Sequence, residues 1–173
     1  GNYLVYDNSS VDFVNSYGPG SVDGFPGAAV RITLSGTTDL VTSLIRNYTD
    51  VNRPNDSMLI HVWANAGGLP GADLITPFML FPEATLAQPN IITRVDLRPY
   101  SGQLSNISGD VFVGFTVPTG EVWLLQTTLA IATRTYYLDA TPACIGITDD
   151  YHFRAITDTF AGASAANFSF NSS

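Results

Sequence analysis

The chain has no lysine, a single cysteine, two histidines and two methionines, and only 13% of its 173 residues are charged. Each shortage excludes something. With Cys144 alone there is no disulfide framework and no CxxC metal pair. Seven arginines face fifteen acidic residues, for a net charge of −8, so no cationic cluster is available to hold nucleic acid or to sit on anionic lipid. Hydrophobic residues make up 45% of the chain, yet no apolar run reaches the ~20 residues of a membrane helix, and membrane insertion is not expected. No basic segment leads into an apolar one, so any export signal is expected to have been removed already. The length suits one domain with a real core.

What is present is alternation. Val30, Ile32 and Leu34 alternate with Ala29, Arg31 and Thr33, and Met58, Ile60 and Val62 with Leu59, His61 and Trp63. Thr93, Val95 and Leu97 alternate with Ile92, Arg94 and Asp96. Val111, Val113, Phe115 and Val117 alternate with Phe112, Gly114 and Thr116, and His152, Arg154 and Ile156 with Phe153, Ala155 and Thr157. A period of two over such lengths means strands with one buried face. Leu40 to Tyr48 is β-branched and aromatic enough to read as a further strand. Turns fall between these runs at Gly18-Pro19-Gly20, Gly24-Phe25-Pro26-Gly27, Arg53-Pro54-Asn55-Asp56 and Pro118-Thr119-Gly120. The expected fold is all-β: a single antiparallel β-sandwich or jelly roll over residues 1–160 with strand-like terminal extensions, followed by a small-residue C-terminal segment, 161–173.

Gly67-Gly68-Leu69-Pro70-Gly71 has the glycine content of a phosphate loop. A phosphate loop needs a helix N-terminus behind it, and here strand-like residues and Pro77 follow instead. The stretch therefore reads as a strand connection with positive-φ glycines. Of eleven asparagines, six open an N-x-[ST] sequon: Asn8, Asn47, Asn55, Asn106, Asn167 and Asn171. That density exceeds chance and points to an exported surface protein with N-glycosylation candidates at these six positions.

The order "YDNSSVDF", "AAVRITL", "LIRNY", "HVWANAGGLPGADLITPF", "VDL", "SGDVFVGFTV", "RTYYLD" and "YHFRAI" resembles a β-sandwich accessory module of secreted bacterial cell-surface proteins. The resemblance spans about residues 3–158, and its most specific parts are GGLPG after a tryptophan-containing strand and the SGDVFVGF strand. It implies a non-enzymatic module with a binding or structural role. It brings no catalytic motif, and residues 159–173 lie outside it.

Chemistry-bearing residues are few. Cys144, His152 and the Asp149-Asp150 pair contain the parts of a thiol nucleophile with base and orienter, but nothing in the sequence places them together, and a lone cysteine is ordinarily a small core residue. No catalytic residue is assigned and no enzyme is expected. His61 and His152 lie on alternating strands and read as hydrogen-bonded histidines rather than zinc ligands. Asp7, Asp12, Asp149 and Asp150 are the calcium candidates, without a spaced motif to support them; no other cofactor is expected. Trp63, Trp123, Tyr100, Tyr136, Tyr137 and Tyr151 are the candidates for a sugar-stacking surface. Both ends are strand-like, which makes Tyr3, Val5, Phe168 and Phe170 candidate subunit contacts in the donor-strand manner of filament subunits. The expectation is an extracellular structural subunit that self-assembles into a surface filament or layer. The alternative is a carbohydrate-binding or adhesion module of the cell surface.

Overall fold

The computed structural model describes residues 2–5, 13–22, 24–127, 134–139, 144–147, 150–151 and 153–158. Its organising element is β3, Gly27–Tyr48, a strand of 22 residues. At the usual rise such a strand would extend about 70 Å if straight, far beyond the width of a small domain. It bends between Leu34 and Thr38, where the pairing register shifts and Gly36 takes φ 114°. The sequence reading made two strands of this segment. The structure runs them together, because Ser35 to Thr38 are polar and small enough to turn the corner without leaving the sheet.

The halves of β3 belong to different layers. In the first layer its N-terminal half lies between β10 (Thr135–Leu138) and β8 (Ile107–Thr116). Beyond β10 comes β11 (Cys144–Ile147), and beyond β8 comes β4 (Met58–Ala66), edged by β5 (Leu69–Asp73) and β6 (Phe78–Leu80). In the second layer the C-terminal half lies between β7 (Asn90–Asp96) and β13 (Phe153–Asp158), with β1 (Asn2–Val5) outside β13. Further along, β9 (Val122–Thr127) meets β3 at Asn47 and carries β2 (Phe13–Tyr17) and β12 (Asp150–Tyr151). All of these pairings are antiparallel, and the sheet does not close on itself. One short helix, α1 (Ser101–Leu104), follows a 3-10 turn and drops Leu104 into the core.

The core is what alternation demands. Val30, Ile32, Val111, Val113 and Phe115 are all buried, and they meet Leu40, Ile45, Val95, Leu124 and Phe153 of the opposite layer. Phe115 stacks on Phe153 at 6.2 Å and takes the edge of Tyr17 at 5.9 Å, so one ring joins the layers. Removing such a ring costs about 3–5 kcal/mol.

Gly67 and Gly68 form the two-residue turn between β4 and β5, with φ 66° and 92°. Positive φ at both positions is what a hairpin matched to strand twist requires, and glycine supplies it without strain. The glycine-rich stretch is thus a hairpin. It also positions the site, because it brings Asp73 back beside Trp63. Of the run expected to resume as strand at Leu74, only Phe78–Leu80 does so; Pro77 delays it.

Candidate functional site

The candidate site lies on the outer face of the first layer. On β4 the inward positions are Met58, Ile60 and Val62, which leaves Leu59, His61 and Trp63 facing out. On β8 the outward positions are Phe112, Gly114 and Thr116. Register then sets one row across four strands: Tyr136 opposite Ala29, Ala29 opposite Gly114, Gly114 opposite His61. Two small residues separate two rings. Over them Phe112 and Tyr136 lean together, 5.4 Å apart at 74°. Ala29, Trp63, Phe112, Tyr136 and Leu138 form a second apolar cluster on this face. Alternation gave no sign that both faces of the layer are buried here. Phe112 is fully buried on what reads as the solvent side.

His61 is the polar centre of this face and is itself only 9% exposed. Its Nδ1 lies 2.8 Å from Asp73 Oδ1, and its Nε2 lies 3.0 Å from Thr116 Oγ1. A carboxylate only accepts, so Nδ1 carries the proton in the neutral ring and Nε2 accepts from the threonine hydroxyl. The ring lies flat on Trp63, centroids 4.6 Å apart and planes 8° from parallel. The pair is i and i+2 on one strand face. The contact order Thr–His–Asp resembles a hydrolytic relay. However, the backbone N–H following the hydroxyl, that of Val117, donates to Pro26 O at 2.7 Å and so is not aimed at a reacting oxygen. The arrangement instead offers acceptors. Asp73 keeps Oδ2, and Thr116 Oγ1 keeps its lone pairs, made more electron-rich by donating to His61. Asp73 is exposed, Thr116 and Leu59 are half-buried, and Met79 beside Leu59 is 51% exposed.

A second aromatic group sits at the end of the other layer. The Arg53 guanidinium lies over the Tyr48 and Trp123 rings, 5.8 and 5.2 Å from their centroids, and pairs with Asp50 at 2.8 Å. The Asn52 backbone N–H on the Asp50 carboxylate, with help from Tyr48 and Arg53, holds its pKa below the usual value. Asn55 ties this corner, donating from Nδ2 to Tyr48 O and accepting from Trp123 N, both at 2.8 Å. One face of each ring is therefore already covered by Arg53.

The aromatic candidates thus separate. Trp63 and Tyr136 share the outer face, Trp123 packs under Arg53, Tyr137 stacks on Phe25 at 4.4 Å, and Tyr100 stacks on Phe78 at 5.2 Å. Of the sequons, Asn106 is exposed, Asn55 is engaged as above, and Asn47 is fully buried with Nδ2 toward Trp123 O. Asn47 takes an inward position on β3, so its side chain is closed off from solvent in the fold. Tyr3 and Val5 lie on β1, which pairs with β13 of the same chain, Tyr3 opposite Ile156 and Val5 opposite Arg154. Cys144 lies on β11 in the first layer and Asp150 on β12 in the second. Asp7, Asn8, Asp12, Asp149, His152, Asn167, Phe168, Phe170 and Asn171 fall outside the described residues.

The His61 hub escaped the sequence reading. Its signal was the double-glycine hairpin, which folds Asp73 back onto the outward face of a strand carrying His61 and Trp63.

No family model matches the chain, and no curated protein matches it. Solved structures that share the fold include two of a clostridial cysteine protease. One contains the cysteine protease and lectin-like domains of Cwp84, a surface layer associated protein of Clostridium difficile: TM-score 0.52, 13% identity, 77% of this chain and 32% of that one. The other is clostridial Cwp84 after propeptide cleavage: TM-score 0.57, 13% identity, 91% of this chain and 40% of that one. The chain spans about a third to two-fifths of their length. At such identity the likeness establishes the fold alone, an antiparallel β-sandwich.

Proposed function

We propose that this chain is a non-catalytic glycan-binding module of an extracellular surface, with its site on the outer face of the first layer. The observation that carries the reading is His61 held between Asp73 and Thr116 on the indole of Trp63. Acceptor oxygens beside an apolar margin of Leu59 and Met79 suit a ligand that offers several hydroxyl donors and a C–H face. The Asp73 carboxylate disfavours anionic sugars, so the ligand class is neutral. The likeness to a structure that contains a lectin-like domain supports the same reading. The test is titration of the protein with neutral and uronic-acid oligosaccharides from surface polysaccharides. Neutral ligands should bind, with affinity reduced more than about tenfold in Asp73→Ala, the loss of about one charge-assisted hydrogen bond, and about threefold or more in Thr116→Val, the loss of a neutral one. Binding of acidic ligands alone, or binding indifferent to both substitutions, would overturn it.

A second reading, a self-assembling subunit of a surface filament or layer, is supported by the edge of the first layer. There β6 pairs, among the described residues, with β4 alone and carries Met79, with Phe81 just beyond it 64% exposed. Electron microscopy of the purified chain, and of forms lacking 1–6 or 161–173, tests it. A monomer at all concentrations removes this reading and leaves the first intact.

A further inference from the structure

We infer that among the sequons on described residues the fold selects one, Asn106-Ile107-Ser108, as a site for covalent attachment of an N-linked sugar. Three such sequons begin at Asn47, Asn55 and Asn106. An acceptor asparagine must present its amide nitrogen to a transferase while the hydroxyl two residues on is also accessible. Asn47 fails because its side chain is fully buried and its Nδ2 points to Trp123 O and Met58 Sδ. Asn55 fails because both ends of its amide are in use, joining Tyr48 O on β3 to Trp123 N on β9. Drawing it out would unfasten the corner on which Arg53 stacks.

Asn106 has neither constraint. It lies at the corner between α1 and β8, with φ 55°, a left-handed conformation that asparagine tolerates better than most residues. The backbone on either side is anchored. Leu104 is buried, Ser105 Oγ donates to Ser101 O, Asn106 N donates to Asp39 Oδ1 at 2.8 Å, and Ile107 packs against the core. The Asn106 side chain is exposed, and so are Gly102, Gln103, Ser108 and Gly109 around it. A Cβ built on Gly102 or Gly109 would meet nothing within 4 Å, so among the described residues the corner stands clear. It is a rigid, protruding acceptor. The donor is a sugar activated as a diphosphate ester. Asn106 Nδ2 attacks the anomeric carbon, the N–C bond forms, and the C–O bond to phosphate breaks. The phosphate leaves with the electron pair, and one amide proton passes to the transferase's base.

The test uses the folded full chain, a soluble N-glycosyltransferase and nucleotide-activated glucose, read by intact mass and peptide mapping. One hexose is expected on Asn106. Asn47 and Asn55 are expected to react more than about tenfold more slowly, since reaction there waits on opening of the fold. In the full chain unfolded by Phe115→Asp, Asn47 and Asn55 should gain hexose. Asn106→Asp, which keeps a residue tolerant of positive φ, and Ser108→Ala should each lose the Asn106 hexose with unchanged thermal midpoints. Absence of hexose on Asn106 in the folded chain overturns the inference, whatever the unfolded variant shows. Modification of Asn47 or Asn55 at a rate matching Asn106 overturns it equally.

Discussion

The His61 imidazole lies on the Trp63 indole at 4.6 Å, nearly parallel, while both its nitrogens are held by residues of other strands. Trp63 restricts the ring's rotation, and Asp73 and Thr116 set its tilt. Polar hub and apolar cluster are therefore one unit. Trp63→Ala should cost about 3–5 kcal/mol by denaturant unfolding, as expected for a large buried ring. His61→Ala should cost about 1–3 kcal/mol by leaving Asp73 and Thr116 without their shared partner. The double mutant should fall short of the sum by more than about 0.5 kcal/mol. Strict additivity would mean that the stack has no energetic content.

At Gly114 the β3 and β8 backbones come so close that a Cβ would lie 2.0 Å from Ala28 O. The neighbour in that contact is backbone, which cannot swing aside. Gly114→Ala should therefore destabilise by about 1–3 kcal/mol or more through overpacking and lower the thermal midpoint clearly. Gly68→Ala meets nothing within 4 Å and should cost about 1 kcal/mol, from its φ of 92° alone.

Gln126 donates from Nε2 to Tyr17 Oη at 2.6 Å, and both side chains are fully buried between the layers. Tyr17→Phe should cost about 1–3 kcal/mol, because the amide donor stays buried without that acceptor. Adding Gln126→Met to Tyr17→Phe should recover most of the loss, since removing both polar partners is far cheaper than removing one. Urea midpoints of the single and double variants decide it.

Acid should reveal two carboxylates. Asp96 has its pKa lowered chiefly by the Arg98 side chain, and Asp50 chiefly by the Asn52 backbone N–H. A pKa depressed in the folded state adds stability that is present above the ordinary value of 3.8 and is lost as pH falls through the lower folded value. Asp96→Asn and Asp50→Asn should thus flatten the acid side of a thermal-midpoint profile and leave its neutral-to-basic side parallel to that of the parent chain. A changed slope above neutrality would contradict this assignment.

Much of the fold was legible in the sequence, for a simple reason. Period two assigns faces without knowledge of partners, so Val30, Ile32, Val111, Val113 and Phe115 could be placed in the core from spacing alone. The hairpin at Gly67 and Gly68 was legible because positive φ at both central residues is a local demand. The single bent β3 was not, since whether Ser35 to Thr38 ends a strand or turns it depends on what pairs on either side.

By itself the sequence determined composition, strand faces, turn positions and the exclusion of cationic, disulfide and helical-membrane solutions. Tertiary structure alone decided which outward residues meet. Asp73, Thr116 and His61 come from three strands, and Asn55 meets Trp123, 68 residues further along the chain. Such meetings follow from register, a property of pairs of strands. Alternation within one strand carries no information about it. For the same reason three sequons that look alike in sequence are unlike in the fold: Asn47 faces inward, Asn55 is fastened, and Asn106 stands on an open corner.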